Sequence, residues 1–125
     1  MTEDKLVEMA EKIEQRSEGG TLNWEKTASD YEFQATLSSF VIRIRCNVTN
    51  EGADYVLSLT DNQGVNLESI SDVELTKMIK RTGVYSKSAF DLMENIFKNA
   101  KRHALGVEKA LDDILTELND VPPPF

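Results

Sequence analysis

The sequence predicts an α+β domain with an N-terminal helix, a four-stranded antiparallel β-meander, a short helix and a long C-terminal amphipathic helix. In this two-layer arrangement the helices lie on one face of the sheet. Apolar residues follow a helical period before residue 19, alternate from 31 to 69, and return to a helical period after 71. Because the connections between the alternating segments are short, neighbouring strands are expected to be antiparallel. No repeat or linker divides the chain, so residues 1–120 are expected to form a single domain.

The first predicted helix covers residues 3–16. Its apolar residues recur at i, i+3, i+4 and i+7 and would form one stripe facing the core, namely Leu6, Met9, Ala10 and Ile13. Gly19 and Gly20 follow and end the helix, because glycine disfavours helical continuation.

Alternation of apolar and polar residues predicts the sheet. Four segments show it, namely 31–37, 40–48, 55–60 and 65–69, with turn residues between them. One sheet face is therefore apolar and the other polar, as in a sheet that covers a core on one side. The segment 21–26 around Trp24 fits either an extra strand or an extended lead-in.

Local capping signals bound the next helix. Ser71 and Glu74 have the spacing of a capping box, and Gly83 is placed to end the helix shortly after Arg81. Three apolar side chains would face inward, namely Leu75, Met78 and Ile79. Ser86 or Ser88 is expected to cap the last helical region, and the Pro-rich tail 121–125 is expected to be extended. We favour a frayed terminus for this tail over a docking peptide.

The last helix is predicted to run from about 87 to 119. Its apolar residues keep a heptad spacing that does not slip at Gly106, which favours one helix, straight or bent there. Such a helix is about 50 Å long, whereas a compact domain of this size is about 35 Å across. The second half is expected to project from the domain and to carry the partner-interface candidates Ala104, Val107, Leu111, Ile114 and Leu118.

Three occupants are possible for this projecting stripe: a second copy, another protein, or helix 1 of the same chain after a fold-back at Gly106. The leading hypothesis is a non-enzymatic protein-interaction module, an adaptor, chaperone-like or regulatory protein that dimerises through the C-terminal helix. The alternative is a small-molecule or anion-binding domain with a pocket between the sheet and the long helix. Its anion-site candidates are Lys77, Lys80, Arg81, Lys98, Lys101 and Arg102.

The charge distribution excludes some partners. The net charge is −8, which disfavours nucleic acid and anionic membranes because both attract cationic surfaces. Residues 77–107 form one basic block of net charge +5. Arg43 and Arg45 lie on the predicted polar sheet face without interleaved aromatic residues, so base stacking is not expected there. Cross-strand acids are the expected partners of these arginines.

Catalytic motifs are missing from the sequence. One histidine and one cysteine exclude a His-rich zinc site and a CxxC pair, and no glycine-rich phosphate loop occurs. Cys46 is expected to be a packed core thiol, and His103 a surface residue. The turn after Asp61 lacks the terminal glutamate spacing of a calcium loop, and the adjacent Asp112 and Asp113 diverge on a helix. We therefore expect neither catalysis nor a metal or cofactor.

The expected location is the cytoplasm. The N-terminal residues are acidic where a signal peptide is basic, and no apolar run of 18 residues occurs. A single cysteine excludes an internal disulfide bond, which many small secreted domains contain.

Overall fold

The structure, a computed structural model, describes residues 2–83 and 88–120. It confirms the α+β class with an antiparallel sheet. The elements in chain order are α1 (Thr2–Glu18), β1 (Trp24–Lys26), β2 (Glu32–Thr36), β3 (Phe40–Thr49), β4 (Gly52–Asp61), β5 (Asn66–Ser71), α2 (Asp72–Thr82), α3 (Ala89–Ala104) and α4 (Val107–Asn119). The tail predicted over 121–125 and the alternative cap Ser86 lie outside the described residues.

Within the described residues the sheet has five strands, one more than the four predicted, and the additional strand falls in the segment 21–26 that the sequence left open between a strand and an extended lead-in. The strands lie in the order β1-β2-β3-β4-β5, and every neighbouring pair is antiparallel. The additional strand β1 is three residues long and pairs with β2, with Trp24 opposite Ala35. Three residues are too few to display an alternating pattern, and Trp24 is held in place by burial against the helices.

The two faces of the sheet have different environments. The face toward the helices is buried and includes Phe33, Ile44 and Leu57. On the opposite face, Arg45 pairs with Glu32 on the neighbouring strand at 3.2 Å. Arg43 donates hydrogen bonds to Gln34 and Thr60 on its two neighbouring strands. The arginines of this face are therefore occupied by cross-strand partners, as the sequence predicts for Arg45.

Helix α3 lies at the centre of the helical layer. It contacts β1, β2, β3 and β4 on one side, and both α1 and α2. Its fully buried side chains include Leu92, Met93 and Ile96, and Phe97 packs on Phe33 and Tyr55 with ring centroids 5.5 and 5.7 Å apart. The core therefore lies between α3 and the sheet, with α1 packed on α3.

The buried face of α1 differs from the predicted stripe. Leu6 and Met9 are only partly buried. The buried residues are Val7, Ala10, Ile13, Glu14 and Ser17. Two of them are polar, and their burial is possible because they have hydrogen-bond partners in neighbouring elements. Ser17 Oγ accepts a hydrogen bond from Trp24 Nε1 at 3.0 Å, and Glu14 accepts one from Asn95 at 3.1 Å.

The predicted caps of α2 are present. Ser71 Oγ accepts a hydrogen bond from the Glu74 backbone N–H, and Gly83 adopts a left-handed conformation at the C-terminal end. Leu75 and Ile79 are buried and Met78 is partly buried. At the start of α3, Ser88 accepts a hydrogen bond from the Asp91 backbone N–H.

The prediction of one continuous helix from 87 to 119 was wrong. Helix α3 ends at Ala104, and α4 begins at Val107 after Gly106 with φ of 65°. Glycine adopts this left-handed conformation readily because it has no Cβ. The heptad spacing describes which residues are apolar and not the direction of the axis, so one left-handed residue redirects the chain without disturbing the pattern.

Candidate interaction surfaces

Helix α4 carries an exposed apolar stripe, which we define as Val107, Leu111, Ile114 and Leu118. No residue of α4 is buried, and among the described elements α4 contacts only α3. Leu111, Ile114 and Leu118 are 48%, 50% and 68% exposed. Ala104, the fifth predicted interface residue, lies instead at the end of α3 and packs against the core.

A helix in this position is poorly supported by its own chain. Isolated helices shorter than about 12–15 residues are marginal in water, and most helices in proteins depend on packing of an apolar face. Helix α4 has 13 residues and leaves that face open. An exposed contiguous apolar surface of this kind is typical of a protein-binding site.

Helix α4 is rich in acidic residues. It has four of them, Glu108, Asp112, Asp113 and Glu117, and one basic residue, Lys109, and the helical period places Glu108 and Glu117 beside the α4 stripe. Lys109 already forms an ion pair with Asp113 at 2.9 Å. Helix α4 is therefore an acidic amphipathic helix, and its complementary surface is expected to be apolar with positive charge at the margin.

A second open apolar surface lies between α1 and the sheet. This α1–sheet groove has a volume of about 380 Å³. Its lining residues are Met9, Lys12, Ile13, Arg16, Leu22, Leu37, Phe40, Ile42 and Leu59. The floor is formed by Ile13, Leu22 and Ile42, which are buried, while Leu37 and Phe40 are 37% and 42% exposed.

The margin of the groove is positively charged. Lys12 and Arg16 lie one turn apart on α1 and both are exposed, and no acidic residue lines the groove. Arg16 is oriented by Thr21, whose Oγ1 and backbone oxygen accept hydrogen bonds at 3.1 and 3.0 Å. The groove margin is therefore positively charged, although the protein as a whole has a net charge of −8.

Sequence reasoning missed the α1–sheet groove. On α1 its residues do have a helical signature, because Met9, Lys12, Ile13 and Arg16 are spaced i, i+3, i+4 and i+7. The predicted α1 stripe contained only apolar residues, so it included Met9 and Ile13 but omitted Lys12 and Arg16. The sheet contribution depends on the β2–β3 turn, where the Leu37 backbone N–H donates to the Phe40 carbonyl at 2.7 Å.

The six anion-site candidates are distributed over two helices. On α2, Arg81 forms a two-bond ion pair with Glu3 of α1 at 2.7 and 2.9 Å. On α3, Lys98 pairs with Glu94 at 3.3 Å. The other four, Lys77, Lys80, Lys101 and Arg102, are exposed. Lys98 and Lys101 line different surface pockets. The anion site stays a prediction.

The cysteine, the histidine and one buried tyrosine are the side chains best suited to chemistry, and each is placed by contacts within the fold. Cys46 is buried opposite Tyr55 in the β3–β4 pair. Burial, followed by the neighbouring Cys46 and Glu94, raises the pKa of the Tyr55 hydroxyl above its usual 10.0. The hydroxyl donates a hydrogen bond to Glu94 at 3.5 Å. His103 is exposed, and its Nε2 lies 3.2 Å from Asn23 Oδ1.

Residues 2–83 and 88–120 contain neither a metal-binding cluster nor a membrane-spanning helix. No group of three histidine, cysteine or acidic residues there is arranged to hold a metal ion. None of the helices in these ranges has the length and apolar character needed to cross a membrane.

Comparison with known proteins finds no matching family model and no significant match among curated proteins or solved structures. A function for this chain therefore has to be inferred from its own surfaces.

Proposed function

We propose that the protein is a non-enzymatic, cytoplasmic protein-interaction module, adaptor, chaperone-like or regulatory in role, that forms a homodimer through α4. The observation that supports this proposal is the α4 stripe, which is apolar, exposed and unsupported by any described element except α3. Covering such a stripe removes apolar surface from water, which is the main favourable contribution to protein association.

The residues that carry the interaction are Leu111, Ile114 and Leu118. Each retains about half or more of its surface exposed in the single chain. Full burial of a leucine or isoleucine side chain contributes about 1.5–3 kcal/mol. A partner that covers the exposed half of each therefore gains about 1 kcal/mol per side chain, before the cost of association.

Light scattering over a dilution series tests the homodimer. We expect the molar mass of two chains at tens of micromolar and a decrease toward one chain on dilution. Leu118→Asp should shift the midpoint of the monomer–dimer transition to a higher protein concentration. Val73→Asp is the matched control, because Val73 is an apolar residue of α2 that is 57% exposed. A single chain at tens of micromolar would contradict the homodimer.

A further inference from the structure

We propose that the α4 stripe of one copy docks into the α1–sheet groove of a second copy, reciprocally, so that each chain contributes one helix and one groove. This inference rests on the proposed homodimerisation through α4 and names the surface that receives the helix. Reciprocal exchange makes two identical contacts related by a two-fold axis, which closes the assembly as a dimer. Docking of an amphipathic helix in an apolar groove is a recurring recognition mode.

The two surfaces have similar lengths. The α1 residues of the groove run from Met9 to Arg16, and the exposed residues of the stripe run from Leu111 to Leu118. Each stretch covers a separation of seven residues, about 10 Å along a helix. The exposed side chains of Leu37 and Phe40 extend the apolar surface at the sheet side of the groove.

Charge complementarity favours this pairing. Glu108 and Glu117 flank the stripe at the helical period of about 100° per residue, and neither forms an ion pair within the part of the chain that the structure describes. The groove presents Lys12 and Arg16 and no acidic residue. Docking therefore brings opposite charges together at the margin of an apolar contact, which adds specificity and speeds association.

Direct α4–α4 pairing is less favourable on the same grounds. It would bring the flanking Glu108 and Glu117 of one helix close to those of the other, while Lys109 lies on the opposite side of the helix and cannot offset the repulsion. The break at Gly106 also leaves α4 with fewer than two heptads, whereas a coiled coil is indicated by three or four.

Docking within one chain is disfavoured by the turn at Gly106. The Leu105 N–H donates to the Lys101 carbonyl at 3.0 Å, and the Gly106 N–H donates to the His103 carbonyl at 3.1 Å. This hydrogen-bonded turn directs α4 to contact α3 alone among the described elements, and the groove of the same chain stays open.

A mixing experiment tests the reciprocal contact. Lys12→Glu should weaken homodimerisation about tenfold, since a charge attraction becomes a repulsion in both contacts. Lys5→Glu, an exposed charge reversal on α1 outside the groove, is the matched control and should leave the dissociation constant unchanged. Lys12→Arg retains the charge and should retain the dimer.

Mixing Lys12→Glu chains with Glu117→Lys chains should restore a heterodimer, detected by native mass spectrometry with one chain isotope-labelled. In that pair, one contact joins the unchanged stripe to the unchanged groove, and the other brings the two reversed charges together as an opposite pair. Each variant with itself has like charges in both contacts, so the mixed dimer should form more strongly than either homodimer. Raising the salt concentration should weaken the wild-type dimer, because the marginal charges are exposed.

Other results would overturn the inference. If Leu111→Asp abolishes the dimer while Lys12→Glu has no effect, α4 pairs elsewhere, and the proposed homodimerisation through α4 remains intact. If the wild type is a monomer and Lys12→Glu lowers its stability, the groove is filled within one chain, and the homodimer is refuted as well. A small molecule co-purifying in the groove, seen as added mass that Lys12→Glu removes, would also refute docking of the helix.

Discussion

Replacement of Leu111 by aspartate tests whether Leu111 belongs to a dimer interface or to the core of its own chain. Leu111 lies in the middle of the α4 stripe and is 48% exposed in the single chain. A residue required by the core of a monomer would be buried, and a charge there would unfold the protein. At Leu111 we expect Leu111→Asp to dissociate the dimer and to leave the fold intact.

The size of the effect follows from the exposed surface. Burial of a whole leucine side chain contributes about 1.5–3 kcal/mol, so covering the exposed half contributes about 1 kcal/mol. A dimer contains two copies of the residue, and the loss is about 2 kcal/mol, or about thirtyfold in the dissociation constant. Desolvation of the introduced carboxylate increases this loss further.

Two measurements are needed on the same variant. Sedimentation over a concentration series gives the dissociation constant, which should increase at least thirtyfold. Urea unfolding at a concentration where both proteins are monomeric gives the free energy of unfolding, which should change by about 0.5 kcal/mol or less, as at other surface positions.

A decrease of several kcal/mol in the free energy of unfolding of the Leu111→Asp monomer would refute the assignment of Leu111 to an interface. That result would mean that Leu111 belongs to the core of its own chain, with α4 folded back through Gly106. An unchanged dissociation constant with an unchanged fold would instead remove α4 from the dimer interface.

Three further predictions concern the folded chain itself. Ser17→Ala should lower the free energy of unfolding by about 1–3 kcal/mol in urea, because the buried Trp24 Nε1–H loses its acceptor. Tyr55→Phe should flatten the decline in stability above about pH 10, measured by urea unfolding at increasing pH. The raised pKa keeps the folded hydroxyl protonated while the unfolded one ionises, so stability present below pH 10 is lost as the pH rises. Ser71→Ala should cost about 1 kcal/mol through loss of the α2 cap, again in urea.

The variants at Ser17 and Tyr55 each have a matched control. Ser38→Ala, in the exposed β2–β3 turn, should leave stability unchanged where Ser17→Ala does not. Tyr31→Phe, at an exposed tyrosine, should retain the alkaline decline that Tyr55→Phe reduces. Equal effects of a variant and its control would contradict the assigned hydrogen bond or burial. For Ser71→Ala, full stability would show that the cap makes no net contribution.

The elements that the sequence predicts well are those controlled by neighbouring residues. Helix α2 begins and ends where Ser71 and Gly83 indicate, because caps are hydrogen bonds between residues a few positions apart. The meander follows from alternation and short connections for the same reason. The exposed stripe of α4 is likewise visible in its heptad spacing, and Leu111, Ile114 and Leu118 are exposed as expected for a projecting segment.

Other features were left open by the sequence or were not shown by its periodicity. Residues 21–26 fit either a strand or an extended lead-in, and strand β1 forms where Trp24 is buried and bonded to Ser17. The helical period identifies apolar residues on α1 and α4, but it carries no information about axis direction. It therefore did not show that Gly106 turns the chain or that Met9 and Lys12 face a groove. Local hydrogen bonding and periodicity were determined by the sequence alone. The course of α4 was decided by the left-handed conformation of Gly106, which periodicity does not describe, and the groove was decided by tertiary packing, because it requires α1 and the sheet, far apart in the chain, to meet.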